Sequence, residues 1–155
     1  MPYLTGPADF GDVTPIARRW TEIKKAVSIK DDILITVKGA GIGKTNILGY
    51  DRAAISRQLM TVRPIIIDRS FIKIVLDNSY MVFQNQRTGI AIPGIGRDEV
   101  LHHIMALPPL AEQHRIVTKV DQLIKLCDEL ETMLIKAQTK SQKLMEATVT
   151  AIASN

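Results

Sequence analysis

The clearest pattern in the sequence is a run of regularly spaced apolar residues at its C-terminal end. From Leu110 to about Ala153 there is no glycine and no proline. Apolar or small residues recur there in alternating steps of four and three, the spacing of a helix that pairs with another helix. The positions of this seam are Ile116, Val120, Leu123, Cys127, Leu130, Leu134, Ala137, Ser141, Leu144, Thr148 and Ala151. The pattern predicts one continuous helix of roughly 65 Å, at a rise of about 1.5 Å per residue.

This predicted helix needs a partner. Pro109 and Glu112 suit its first turn, because proline has no N–H to leave unpaired there and an acid faces the positive end of the helix dipole. So short a chain has no globular body large enough to cover the apolar stripe of a helix this long. A second helix is therefore implied. We interpret Cys127 as a small buried hydrophobic residue of the seam. A second apolar set makes the stripe wider than a two-stranded coil requires: Val117, Ile124, Leu126 and Met133.

The N-terminal part of the chain has shorter and less regular patterns. The β-branched run from Ile33 to Val37, bounded by turn residues, predicts a strand. Further strands are predicted near Ala54 to Val62, Phe71 to Leu76 and Tyr80 to Phe83, and a short helix around Arg97 to Leu101. Because strands and helices do not alternate regularly, the fold class is predicted to be α+β. We expect a mixed domain over residues 1–107 and the pairing helix over residues 108–155.

Composition excludes several classes of protein. Hydrophobic residues make up 46% and charged residues 23%, as in globular proteins, so the chain should bury a core. One cysteine and three histidines provide neither a disulfide framework nor a zinc site. The N-terminus lacks the features of a signal peptide, and the longest apolar runs are too short to span a bilayer. We therefore expect a cytoplasmic protein.

The net charge of +4 is concentrated in one half of the chain. After Pro109 six bases balance six acids, whereas residues 1–109 hold 14 bases and 10 acids. A basic surplus confined to one domain favours nucleic-acid binding, because Lys and Arg contacts that release counterions supply most of the non-specific affinity for DNA. The alternative interpretation is that a net charge of this size lies within the ordinary variation among small domains.

A glycine-rich segment, Gly39 to Thr45, directly follows the first predicted strand. It is similar to the phosphate-binding loop of nucleotide hydrolases, but such a loop needs glycine where this chain has Lys38. The next glycine follows the loop after too few residues for a phosphate-capping helix to form, so nucleotide hydrolysis is disfavoured. Two interpretations stay open. The glycines could let the backbone approach DNA while Lys38, Lys44 and Thr45 reach phosphates or base edges, or the segment is a strand-to-strand turn with solvated lysines.

A second polar cluster, from Gln84 to Gly89, carries side chains of the types that pair with base edges. We predict that this cluster is a loop. Its side chains could contact base edges, and the alternative is an ordinary polar loop without base contacts. The seven aromatic residues form no closely spaced set for stacking single strands, which favours duplex DNA as the nucleic acid. The complete predicted DNA-binding set is Lys38, Lys44, Thr45, Arg57, Gln84, Asn85, Arg87, Thr88 and Arg97.

Much of the chain resembles the specificity subunits of type I restriction-modification systems. The stretches closely similar to the segment that opens their long helix are Leu107 to Val117, Lys119 to Leu123 and Leu126 to Glu131. Asp32 to Gly39, with Gly43-Lys44, is similar to a recurrent stretch of their target recognition domains, and Gly89 to Leu107 resembles the approach to the helix. The resemblance covers most of the chain from Lys30 to Glu131, and the first thirty residues match only loosely.

This resemblance implies an α+β target recognition domain that reads one half of a split DNA sequence. It also implies a helix that pairs antiparallel with another and docks methyltransferase subunits. In that family the methyltransferase subunits bind S-adenosylmethionine, and a restriction subunit uses ATP. The specificity subunit does no chemistry itself, so we expect neither a catalytic residue nor a cofactor nor a metal in this chain.

The chain departs from the family pattern in having one recognition domain and one helix instead of two of each. Its first residues, Met1 to Leu4, are similar to a point well inside a recognition domain, so the chain resembles half a subunit. We expect two copies to pair as an antiparallel homodimer that reads an interrupted palindrome. A rival hypothesis is a truncated assembly protein that dimerises through its helix without specific DNA binding. A third is a small nucleotide-binding enzyme.

Overall fold

The computed structural model describes residues 1–23, 25–88 and 93–153 of the 155-residue chain. Its contacts divide the chain into two units, Met1–His114 and Arg115–Asn155. Among the described residues, the first unit contains two small sheets, a short 3-10 helix at Pro7–Asp9, three α-helices and the first turn of a fourth, and the second unit is the remainder of that helix. Within the described chain, no helix has both the length and the apolar character needed to cross a membrane.

The secondary structure combines short strands with helices of very different lengths. The strands are β1 (Pro2–Leu4), β2 (Arg19–Trp20), β3 (Val27–Ile29), β4 (Ile33–Thr36), β5 (Thr45–Ile47), β6 (Arg52–Ile55) and β7 (Leu59–Val62). The helices are α1 (Arg69–Asn78), α2 (Tyr80–Gln86), α3 (Arg97–Leu101) and α4 (Leu110–Ala153). The predicted α+β class is confirmed, and α4 begins at Leu110, as the heptad pattern predicts, and continues to Ala153, the last residue that the structure describes.

The strands form one four-stranded sheet in the order β2-β1-β6-β3 and one three-stranded sheet in the order β5-β4-β7. β1 and β6 run parallel, and the other neighbouring strands are antiparallel. The main core lies where the two sheets meet. Leu4 and Ala53 of the first sheet cluster with Leu34 and Leu59 of the second, and Leu48 joins them. These five side chains are at most 5% exposed, so the core that they form is removed from water.

Two of the predicted strands are wrong, because Phe71 to Leu76 lies in α1 and Tyr80 to Phe83 lies in α2. Their β-branched and aromatic residues suggested strands, but the buried positions follow a helical spacing. In α1 the buried side chains are Phe71, Ile72 and Leu76, and the last two are four residues apart. The start of α1 is also specified locally, since the Asp68 carboxylate accepts a hydrogen bond of 2.8 Å from the backbone N of Phe71.

The predicted strand near Ala54 to Val62 is interrupted and forms the separate strands β6 and β7. The chain turns between them at Ser56, whose Oγ accepts a hydrogen bond of 3.0 Å from the backbone N of Gln58. The strand predicted from Ile33 to Val37 and the helix predicted from Arg97 to Leu101 are confirmed as β4 and α3.

A buried carboxylate holds the start of β4 in place. Asp32 is 2% exposed and accepts two hydrogen bonds from the Arg63 guanidinium, of 2.6 and 2.7 Å. It also accepts one of 2.8 Å from the backbone N of Ile29. The hydrogen bond with Asp32, together with its charge, raises the pKa of Arg63 above its ordinary value. Arg63 follows β7, so this bidentate pair ties the start of β4 to the end of its neighbour in the sheet.

Candidate nucleic-acid interface

The glycine-rich segment is the connection between β4 and β5, which form an antiparallel pair. Gly39 and Gly43 have φ angles of 88° and 84°, in the left-handed region that favours glycine. A Cβ atom on Gly43 would lie 3.1 Å from Cδ2 of Tyr80, so this glycine is also packed closely against α2. The chain continues into a strand and not into a helix, so the helix N-terminus of a phosphate-binding loop is missing. The segment is a strand-to-strand turn, a geometry that is compatible with both interpretations of the sequence.

Four chain segments that are distant in sequence lie side by side next to this turn. The backbone N of Val37 donates to the carbonyl of Gln58 at 2.8 Å, and the backbone N of Ile95 donates to the carbonyl of Val37 at 2.9 Å. Thr88 and Gly94 exchange two backbone hydrogen bonds of 2.8 Å. These hydrogen bonds join the segments 57–58, 37–39, 93–95 and 87–88 into one connected set. We call this set of segments the ladder.

The ladder brings together predicted DNA-binding residues that the sequence separates by up to about fifty positions. Lys38, Arg57, Arg87 and Thr88 belong to its segments, and all four are exposed. Arg97 begins α3 two residues after Ile95 and is also exposed. The result is one connected surface that carries several exposed cationic side chains.

Most of these cations have no acidic partner. Among the lysines and arginines that the structure describes, those with a recorded ion pair include Arg63, which follows β7, and Arg69 and Lys73 of α1. Within the described ranges, Lys38, Arg57 and Arg97 make no ion pair, and Arg87 contacts only an amide. The positive charge at the ladder is thus available to an anionic ligand. The same ranges contain no group of His, Cys, Asp or Glu side chains that could hold a metal ion.

The polar cluster from Gln84 to Thr88 is not the loop that the sequence suggested. Gln84, Asn85 and Gln86 belong to the last turn of α2, and Arg87 follows the helix. Both ends of the Gln84 amide are used within the fold, since Nε2 donates to the carbonyl of Ile42 at 2.6 Å and Oε1 accepts from Arg87 at 3.2 Å. Gln84 therefore links the glycine turn to α2 and to Arg87. Asn85 is exposed, with no such constraint.

Lys44 and Thr45 do not lie on the ladder itself but on the β5 side of the hairpin. They line a shallow cleft of about 450 Å³ together with Lys73 and Tyr80. The Thr45 hydroxyl donates to the Asp77 carboxylate, which also accepts a hydrogen bond of 2.6 Å from Lys73. The Thr45 hydroxyl therefore makes a hydrogen bond within the protein. Lys44, by contrast, is exposed and makes no ion pair with a described carboxylate.

The second unit presents an apolar face with nothing in the described chain to cover it. Ile116 and Val120 are partly buried, but farther along α4 Leu123, Leu130, Leu134 and Leu144 are 49 to 60% exposed. Cys127 is exposed as well, so its predicted burial depends on a partner helix. The side chains of two other seam positions, Thr148 and Ala151, lie outside the described residues.

Comparison with protein families identifies the type of domain. The family model described as type I restriction modification DNA specificity domain matches residues 2–140. The comparison with curated proteins gives no significant match.

Two solved structures are similar in fold and in sequence. One is a chain from a study of complex assembly and conformational transition of the type I R-M system, with 27% identity and a TM-score of 0.79 over 93% of this chain. The other is the HsdS subunit from Thermoanaerobacter tengcongensis, with 30% identity and a TM-score of 0.74 over 84% of this chain. The matched regions are 36% and 31% of those two chains, so the present chain corresponds to about a third of each.

Proposed function

The chain belongs to the family of type I restriction modification DNA specificity domains, and on this basis we propose that it is a DNA-reading specificity module that acts with methyltransferase partners. Its globular unit would read one half-site in duplex DNA. Its helix would pair with a second helix, which carries the unit that reads the other half-site. The chain itself would do no chemistry. Methylation and ATP-dependent restriction would belong to partner subunits in the cytoplasm.

The ladder is the observation that carries this proposal. It gathers exposed cationic side chains without acidic partners into one connected surface, as a site for an anionic duplex requires. Arg57 would contact the phosphate backbone at the edge of the half-site, and Arg87 would reach a base edge. Lys38 and Thr88, which are also exposed on the ladder, would face the bases with it. This arrangement supports recognition of a duplex and offers no stacking platform for single strands.

The exposed face of α4 supports pairing with a second helix. Two copies that pair antiparallel would cover the seam from Ile116 to Leu144 by the same residues on each chain, as two-fold symmetry requires. The N-termini of the two helices, which follow the globular units in sequence, would then lie at opposite ends of the pair. The DNA target would be an interrupted palindrome, one half-site followed by a spacer and the inverted half-site.

The width of the apolar face supports further partners. Viewed along the helix at about 100° per residue, Ile124 and Ile135 lie roughly 80 to 100° to one side of Leu134. Leu126 and Met133 lie at similar angles on the other side. All four are 50 to 62% exposed, and a single partner helix on the central seam would leave both flanks open. Methyltransferase subunits docked along these two flanks would complete the burial, and a restriction subunit would join that assembly.

Binding to random duplexes over a range of salt concentrations tests the proposal. We expect selection to enrich one interrupted palindrome, with an affinity that falls steeply as salt increases. Co-purification with an S-adenosylmethionine-dependent methyltransferase from the native host would support the assembly role. Dimers or methyltransferase complexes that bind no duplex preferentially would favour the rival hypothesis of an assembly protein without DNA specificity.

A further inference from the structure

A separate cleft of about 830 Å³ adjoins one border of the ladder. Its floor is formed by the ends of β1 and β6, with Tyr3, Ala54 and Ile55, and by Leu59 at the start of β7. Arg57 and Gln58 line it on the side that continues into the ladder, because the carbonyl of Gln58 accepts the hydrogen bond from Val37. Cleft and ladder are therefore neighbouring parts of one surface.

The charges of this cleft have one sign. Lys25 and Arg57 line it, both exposed, and neither makes an ion pair with a described carboxylate. None of the described residues that line the cleft is acidic. Hydroxyl groups of Thr21 and Ser56 add polar groups at its walls. Two free cations above a largely apolar floor are suited to a ligand that combines phosphate groups with less polar atoms, as the sugar-phosphate backbone does.

We infer that this cleft holds the sugar-phosphate backbone of one DNA strand next to the half-site, with Lys25 and Arg57 as its phosphate ligands. The inference rests on the proposed function and assigns different tasks to neighbouring residues. The cleft positions the duplex without reading its sequence, and the ladder, from Lys38 to Arg87, faces the bases. Because Arg57 borders both surfaces, one strand would pass from the cleft along the edge of the groove that the ladder enters.

Alanine substitutions with matched controls test this division. Lys25→Ala and Arg57→Ala each remove one cleft cation. The controls are Lys30→Ala and Arg52→Ala, which remove the same charges from exposed positions outside the cleft, with Arg52 at the opposite end of β6 from Arg57. Duplex affinity is measured for the selected target and for an unrelated duplex between 50 mM and 300 mM salt, after circular dichroism has established that each variant is folded.

We expect each cleft variant to weaken binding to both duplexes by the same factor, roughly eightfold at 0.1 M salt, and to lower the salt slope by about 0.9. The control variants should change both quantities much less. Cleft variants that match their controls, while the native protein binds its target, would overturn the inference and leave the proposed function intact. A loss confined to the selected target would also overturn it, because the cleft would then read bases. A native protein without salt-dependent duplex binding would instead contradict the proposed function.

Discussion

Gln113, in the first turn of α4, accepts a hydrogen bond of 2.9 Å at Oε1 from the backbone N of Asp68, the residue that caps α1. The other end of the same amide, Nε2, donates to the carbonyl of Pro108 at 2.9 Å. Gln113 is only 3% exposed, so both hydrogen bonds are shielded from water. One buried side chain thus joins the start of the long helix to the start of α1.

Replacing this side chain should destabilise the globular unit. Gln113→Ala leaves the N–H of Asp68 and the carbonyl of Pro108 without these partners, and we expect the free energy of unfolding to fall by about 1 to 3 kcal/mol. Urea denaturation followed by circular dichroism measures it. Gln122→Ala, at an exposed position of the same helix, is the matched control and should change stability by less than about 0.5 kcal/mol. Equal effects of the two variants would contradict the anchoring role of Gln113.

The turn between β4 and β5 should be sensitive to a single methyl group. Gly43→Ala places a side chain at a φ of 84° and 3.1 Å from the ring of Tyr80, so we expect a loss of more than about 1 kcal/mol of stability. Gly96→Ala is the control, because its φ of −92° is ordinary and the close atom belongs to the flexible end of Glu99. Thermal denaturation compares the two, and an equally stable Gly43 variant would be inconsistent with the turn described.

The seam of α4 should control association. Leu123→Ala and Leu130→Ala each remove a large side chain at a position that pairing would bury, at a cost of about 2 to 5 kcal/mol to the dimer. We expect light scattering at micromolar concentration to report a dimer for the native protein and monomer or aggregate for these variants. Lys136→Ala, at an exposed position away from the seam, should leave the mass unchanged. A monomeric native protein would exclude the homodimer, and a selected DNA site without two-fold symmetry would indicate that another chain supplies the second helix.

The only cysteine of the chain reports on the same interface independently of mass. Cys127 lies on the seam and is exposed in the single chain, so a thiol reagent should label it rapidly in dilute protein. At concentrations where two helices pair, the partner should cover the thiol and slow the labelling severalfold. Leu130→Ala should restore the fast rate. Labelling that is independent of protein concentration, in a protein that light scattering finds dimeric, would exclude pairing through this face.

Lys44 and Arg87 should have different effects on DNA binding. Lys44→Ala should weaken binding to all duplexes alike and lower the salt slope by about 1, as expected for a backbone contact. Arg87→Ala should cost about 1 to 3 kcal/mol on the selected target and relax the preference at one base pair. Affinities for the target and for its single-base variants make the comparison. Uniform losses from both substitutions would make Arg87 a phosphate ligand and not a base reader.

The parts of the fold that the sequence predicted are those specified by local pattern. The heptad spacing from Leu110 to Ala153 identifies α4 because each turn of a helix repeats the same local requirement. The helix from Arg97 to Leu101 is short but also local. The strands predicted at Phe71 to Leu76 and Tyr80 to Phe83 are wrong, because their β-branched and aromatic residues favour strands in general but lie here in α1 and α2. For α1, the cap at Asp68 is a local signal of a helix start.

The ladder could not be predicted from local pattern. Val37, Gln58, Thr88 and Gly94 meet through backbone hydrogen bonds, and a backbone bond leaves no signature in the side chains that the sequence records. Composition identified the types of residue at the site, such as Lys38 and Arg87, but not which of them share a surface. Gln84 is an example, because the sequence records an amide with the chemistry of a base reader but not its hydrogen bonds to Ile42 and Arg87.

Main-chain bonding across the ladder has a consequence for how new targets can arise. Its framework consists of peptide groups that are present whatever the side chains are, so the exposed positions 38, 87 and 88 can be exchanged with little change to their spacing. The backbone that sets their positions is therefore independent of the side chains that would read the DNA. A library randomised at these three positions should contain many folded members with altered sequence preference, and in a symmetric pair each single change would alter both half-sites at once.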